Sequence, residues 1–323
     1  MSRSRVWRWV RRLAVAAVGL LLVAAGWLVD GYTLTLLSRA LAVGLLAVSV
    51  AVLAGRAGLV SLGQVAPYAV GAYTAAHLAR AGTDVGVVQL GGAGLAGAVF
   101  AALTGLVMVH SRGVTFLLIS LLVGVVTAIA AGQWTSVTGG TDGLAGIPPI
   151  RPVWAAPPLA GDRAVYGYVL FVTAVLVALT VVVLRCPAGL LLAGCRDNET
   201  RMRASGHPVN RYLYAAMVGV GALAGSAGAL TITAVGYIAP ADVGFDAAVL
   251  VLLATAIGGT VSVVGALLGT AMIVGTRDWL AGPWQGHAPL LLGVLFITAV
   301  YARTARSRLD RVRLQRPGRR GEP

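Results

Sequence analysis

The chain has 323 residues, 58% of them hydrophobic and 11% charged, with mean hydropathy +0.86, far more apolar surface than a soluble core of this length can bury. The net charge of +14 rests on arginine alone, since no lysine occurs anywhere, and this rules out a P-loop ATPase, whose GK[ST] motif requires one. No soluble domain is left to carry nucleic-acid binding, and the positive-inside bias of membrane proteins is a sufficient reason for the arginines.

Composition therefore predicts an all-α, polytopic transmembrane helical bundle. Residues 1–12 form a basic tail carrying Arg3, Arg5, Arg8, Arg11 and Arg12, and 13–302 read as a single transmembrane domain followed by a second basic tail, 303–323. The apolar run 13–29 lies at the short end of a span and lacks an A-x-A cleavage site, so it is expected to be retained rather than removed as a signal peptide.

Further apolar segments follow at about 34–54, 60–80, 86–109, 113–133, 164–184, 211–236, 247–275 and 288–302. The run 247–275 is too long for one simple span and is interrupted by Gly258-Gly259-Thr260 and Ser262. It reads as two short or broken helices meeting at that turn, a re-entrant pair. If the N-terminus is cytoplasmic, alternation puts twenty arginines inside, leaving Arg39, Arg80, Arg151, Arg163 and Arg277 outside. That bias predicts cytoplasmic N- and C-termini, provided 247–275 crosses twice or re-enters. Gly221-xxx-Gly225 and Gly265-xxx-Gly269 would let helices approach closely, although 43 glycines make such spacings by chance as well.

Within the second of these segments, Gly58 to Tyr73 places Ser61, Gln64, Pro67, Tyr68, Tyr73 and three glycines at membrane depth. An interrupted helix is tolerated there only when buried in protein or lining a wet cavity. Lining of a translocation path and simple packing around glycines both satisfy that condition. The external loop, 134–163, is rich in Gly and Pro and reads as an irregular cap over the mouth of the bundle; it is either a substrate entrance or a long connector.

Catalytic and metal-binding constellations are not evident. His77, His110, His207 and His287 are scattered over different segment ends, and Cys186 and Cys195 lie nine residues apart, about half a turn around a helix. No acidic residue falls near the middle of an expected span, which weighs against a proton- or sodium-coupled pump.

The polar interruption 185–211 differs from the other loops because it carries helix-end signals. Pro187 suits a first helical position, and Gly206 with Pro208 stops the helix. Asp197 precedes Arg201 and Glu199 precedes Arg203 at i,i+4 with the acid first, the more favourable order. One surface helix between two spans is predicted, either a docking element or a well-solvated loop.

Four stretches together resemble the branched-chain amino-acid ABC transporter permeases, in particular the M-type subunit: Ala57 to Ala76 (AGLVSLGQVAPYAVGAYTAA), Thr138 to Pro148 (TGGTDGLAGIP), the central CRDNETRMRASGHPVNRY, and Ala256 to Met272 (AIGGTVSVVGALLGTAM). They occur in the family's order and cover most of residues 35–300. The resemblance implies an importer subunit of a bacterial plasma (inner) membrane whose 185–211 loop is a coupling helix. Its partners would be two ABC ATPase subunits, a second permease subunit and an external substrate-binding protein. This chain would bind no cofactor itself, since ATP and Mg would be hydrolysed by those partners. Arg196, Asp197, Asn198, Glu199 and Arg203 are then expected to couple to the ATPase, and Ser61, Gln64, Tyr68, Tyr73, Thr138 and Thr141 to line the path.

Departures from the family pattern bear on the solute. The GGxGSxxGP turn appears as Gly258 to Gly265 without its proline, and the start of the coupling helix, Gly189 to Leu192, is less basic. These loosen the substrate from leucine-like amino acids to a set that includes urea and short amides. A stand-alone secondary transporter or channel is the other class left open, with a membrane-embedded enzyme or scaffold behind it.

Overall fold

A computed structural model describes residues 19, 21–154, 156–260, 262–279, 293, 294, 297, 298 and 301. The two basic tails, most of the 288–302 segment and much of the first apolar run lie outside the described residues; within that run, 21–28 is helical.

Among the described residues the regular structure is entirely helical. Eleven α-helices follow the 21–28 stretch: α1 (Gly31–Val52), α2 (Val65–Arg80), α3 (Gly86–Met108), α4 (Gly113–Gln133), α5 (Thr135–Thr138), α6 (Asp162–Arg185), α7 (Pro187–Asp197), α8 (Glu199–Ala204), α9 (Val209–Val235), α10 (Phe245–Gly258) and α11 (Val263–Trp279). A π-helical turn, Leu53–Ala57, extends α1, and short 3-10 turns occur at Gly140–Asp142 and Pro240–Val243. Five helices are long and apolar enough to cross a bilayer: Gly31–Ala57, Gly86–Met108, Gly113–Gln133, Asp162–Arg185 and Val209–Val235. The chain divides into two contact units, 1–272 and 273–323. The architecture below concerns the first; of the second, the described part is the end of α11 and a few helical residues near 293–301.

The middle of the first unit is α9, packed against α3, α2 and α1. Small residues make this approach possible. A Cβ added at Gly225 would lie 2.3 Å from the Ala93 carbonyl oxygen, and one at Gly71 would lie 2.4 Å from the Gly225 Cα. On the next turn a Cβ at Gly97 would meet the Gly221 carbonyl at 2.5 Å. The Gly221-xxx-Gly225 spacing is thus a real contact between backbones, the arrangement that lets transmembrane helices gain dispersion energy where no hydrophobic force separates them from lipid. Burial follows the same geometry: α1 and α9 are largely enclosed, whereas α3, α4 and α6 keep an outward face of Leu, Val and Phe.

The expected 60–80 helix is shorter than the apolar run. The π-turn ends at Gly58 with φ +73°, and 58–64 are not α-helical before α2 begins at Val65. At 16 residues α2 reaches about 24 Å, less than the roughly 30 Å hydrocarbon thickness. Ser61, Gly63, Gln64 and Pro67 have drawn the helix start inward. The freed backbone is satisfied from α4: the Leu62 N–H donates to the Ser120 hydroxyl at 3.1 Å.

The 247–275 run forms the expected broken pair. A Cβ at Gly265 would meet the Gly258 carbonyl at 2.0 Å, and one at Gly269 the Ala254 carbonyl at 2.2 Å. Each later residue in these contacts faces an earlier one, so α10 and the first part of α11 run antiparallel about the 259–262 turn. With 14 residues, α10 is about 21 Å long.

Candidate functional site

The 185–211 loop folds as two helices where one was expected. Asn198 breaks the run with an extended backbone, φ −158° and ψ 92°, and its side-chain carbonyl accepts from the Arg201 N–H at 2.9 Å, capping α8. The anticipated Asp197–Arg201 pair does not form, because the break separates the two residues; among the described residues Asp197 has no ion pair. The Glu199–Arg203 pair does form, at 2.6 Å.

Glu199 has a stronger partner outside the loop. Arg112, in the connection between α3 and α4, donates from Nε to Glu199 Oε2 at 2.9 Å and from Nη2 to Oε1 at 3.0 Å, a bidentate fork. The Asn210 side-chain carbonyl, in the first turn of α9, accepts from Arg112 at 3.1 Å and from Arg203 at 2.7 Å. Arg112 also donates through Nη1 to the Val109 and Ser111 carbonyls at the end of α3. The fork from Arg112, assisted by Arg203, holds the Glu199 carboxyl down at about 2, well below the ordinary range. On the other side, Arg196 reaches the Gly55 carbonyl in the π-turn at 2.5 Å.

The residues read as path-lining fall into different settings. Tyr73 and Thr138 border an apolar chamber of about 890 Å³ between α2, α3 and α4. Its threonine hydroxyls are spent on backbone carbonyls: Thr74, Thr104 and Thr127 donate within their own helices to Val70, Phe100 and Val123 at 2.7, 2.9 and 2.7 Å, and Thr138 of α5 donates to Ala131 of α4 at 2.5 Å. His77 contacts the Val137 carbonyl at 2.6 Å, while the Tyr73 hydroxyl is buried without a partner. Ser61 and Gln64 border a separate void of about 20 Å³, into whose walls Thr104 and Val123 of the chamber also enter; Gln64 Oε1 is buried and unpaired. Tyr68 is an interhelical strut, donating to the Thr231 hydroxyl of α9 at 3.0 Å. Thr141 lies on the surface of the 134–163 loop.

That loop is tied down at several places. Arg151 pairs with Asp84 at 2.8 Å, Arg80 donates to the Ala145 carbonyl at 2.6 Å, and Leu144 exchanges backbone bonds with Ile238 at 2.8 and 3.1 Å. Gly143 passes so close to the Ile238 carbonyl that a Cβ there would stand 2.2 Å from it, and its φ of +72° is one that L side chains rarely adopt. Both cysteines are free thiols, Cys186 exposed and Cys195 buried. Among the described residues no group of His, Cys, Asp and Glu could hold a metal ion.

A multi-pass helical bundle with an apolar chamber among its spans, and with its densest charge network on a short loop helix, belongs to the class of membrane permeases. A model of the family described as "Branched-chain amino acid transport system / permease component" matches residues 32–300, and the chain belongs to that family. It is accordingly a permease subunit of an ABC-type transporter and not an enzyme. Among curated proteins it is similar to the high-affinity branched-chain amino acid transport system permease protein LivM of Escherichia coli, at 28% identity over 87% of this chain and 71% of the relative. The Salmonella typhimurium protein of the same name is 27% identical over the same shares. No solved structure matches.

Proposed function

We propose that the chain is one of two permease subunits in a bacterial inner-membrane importer for branched-chain or related aliphatic amino acids. Two ABC ATPases would drive it and an external binding protein would deliver the solute. The carrying observation is the α7–α8 pair: a folded, charged element between the spans α6 and α9, anchored to neighbouring helices and still presenting Asp197 and Arg201 outward. A plain solvated loop has no need of such anchoring. With the arginine-rich loops facing the cytoplasm, both termini lie inside and the ATPases approach α7–α8 from that side.

The apolar lining supports a solute with an aliphatic side chain over urea or a short amide, because a leucine-like side chain gains from that surface while urea has no apolar part to bury there. The ammonium and carboxylate of the amino acid would have to keep water or meet polar groups outside this lining, since the chamber wall carries no Asp, Glu, Arg or Lys.

Affinity purification from native membranes tests the reading: two P-loop ATPases and a second permease should accompany the chain. Reconstituted vesicles should then take up leucine and not urea, and only with ATP. Solute flux by the chain alone, without ATPases, would establish a stand-alone carrier or channel instead.

A further inference from the structure

The charge network at the loop end gives Glu199 a different task from that of a surface contact. Resting on the reading of α7–α8 as the ATPase-docking element, we infer that Glu199 is a positioning residue that locks this element, through Arg112 and Asn210, to the first turns of α4 and α9. The contact with the ATPase is made by its neighbours.

The carboxylate is largely taken up within the chain. Arg112 Nη2 and Arg203 Nε and Nη2 donate to Oε1 at 3.0, 3.1 and 2.6 Å and Arg112 Nε donates to Oε2 at 2.9 Å, so both oxygens are engaged by arginines of this chain and only Oε2 keeps an open acceptor direction. Arg112 is equally committed, since its third nitrogen holds the Val109 and Ser111 carbonyls and so clamps the end of α3 to the beginning of α4. Asn210 receives one N–H from each arginine and brings in α9. A planar guanidinium gripping a carboxylate at two points transmits rotation as well as displacement, which a single flexible contact does not.

Outward on the same element, among others, are Leu190, Asp197 and Arg201, all exposed and none with a side-chain partner among the described residues. The element therefore has two faces with separate work. One offers an apolar residue and a pair of opposite charges to another protein; the other is bolted to the bundle.

The bolt leads to the chamber. Arg112 immediately precedes α4, which supplies Val123, Val126, Thr127 and Ala130 to the chamber wall, and Asn210 opens α9, against which the opposite wall helices α2 and α3 pack. Tilting α7–α8 would therefore pull on both sides of the chamber at once. The Arg196 bond to the Gly55 carbonyl adds a tie to the end of α1.

The test uses the complete transporter in vesicles, with each preparation first shown to be monodisperse. E199Q and R112Q should each lower maximal uptake about tenfold, the upper range for loss of a coupling contact, with the ATPases still co-purifying and the KM for solute-loaded binding protein unchanged. D197A/R201A should instead lose the ATPases on purification. The inference is overturned if E199Q sheds the ATPases as D197A/R201A does, or if E199Q transports at the native rate. If the native preparation carries no ATPase at all, it is the docking reading that fails, a result separable from the other two.

Discussion

Replacing Gly225 by alanine puts a methyl group where two helices already touch. The new Cβ would stand 2.3 Å from the Ala93 carbonyl oxygen, 3.1 Å from the Gly97 Cα and 3.2 Å from the Ala93 carbonyl carbon. Moving the oxygen out to an ordinary 3.4 Å contact requires a separation of about 1.1 Å, and every obstructing atom is backbone, so no side chain can turn aside. The other side is closed as well, because Gly71 of α2 abuts the same residue. Overpacking of this kind costs about 3 kcal/mol, the upper end of its usual range. At about 2–4 °C per kcal/mol the melting temperature should drop by roughly 6–12 °C.

Cys195 makes the assay direct, since it is buried and free. In a C186S background a thiol-reactive dye reports its exposure on heating. G219A on the same helix is the control: nothing lies within 4 Å of a Cβ there, and alanine in a helix interior should stabilise by about 0.5–1 kcal/mol. Equal melting temperatures for G225A and G219A would refute the α9–α3 backbone contact.

E199Q should also change the response to acid. A carboxyl held at about 2 in the folded chain, against an ordinary 4.5, contributes stability that is fully present above pH 4.5 and is lost as pH falls towards 2. With the pair close to one-third exposed, solvent screening reduces that contribution to about 1 kcal/mol, so the native and E199Q melting curves should differ at pH 7 and converge at the acid end of that window. Tyr68→Phe removes the strut to Thr231 but leaves that hydroxyl bonded to the Ala227 carbonyl; the loss, read in the same dye assay, should be about 1 kcal/mol. Thr127→Trp, which projects an indole into the chamber wall, should reduce leucine uptake about tenfold while the ATPases still co-purify, because a ligand pocket loses affinity when its volume is filled. Undiminished uptake would remove the chamber from the solute path.

The membrane-spanning character of this chain was legible in composition, and the helix positions in the apolar runs, because each helix in lipid must satisfy its own backbone and so needs an uninterrupted stretch of suitable residues. The break near Gly258 to Ser262 was legible for the same reason. Asn198 carried a readable signal too, being a good N-cap residue directly before Glu199, but the i,i+4 pattern of Asp197 with Arg201 spoke for a continuous helix. A few tenths of a kcal/mol from such a pair is less than a cap contributes, and the cap prevails.

Two features belonged to tertiary structure alone. Arg112 and Glu199 are separated by 87 positions, and nothing in the local spacing of either names the other; only the packing of α3 beside α9, with Arg112 just past the end of α3, brings the fork to the carboxylate. Ser61, Gln64, Tyr68 and Tyr73 formed one polar stretch in sequence, yet the late start of α2 and the rotation of its faces send Tyr68 to α9, Tyr73 to the chamber and Gln64 to a separate void. Sequence dictates which segments become helices because that choice is local, whereas the neighbour each helix face meets depends on where backbones can approach, and here glycines on α2, α3 and α9 decide it together.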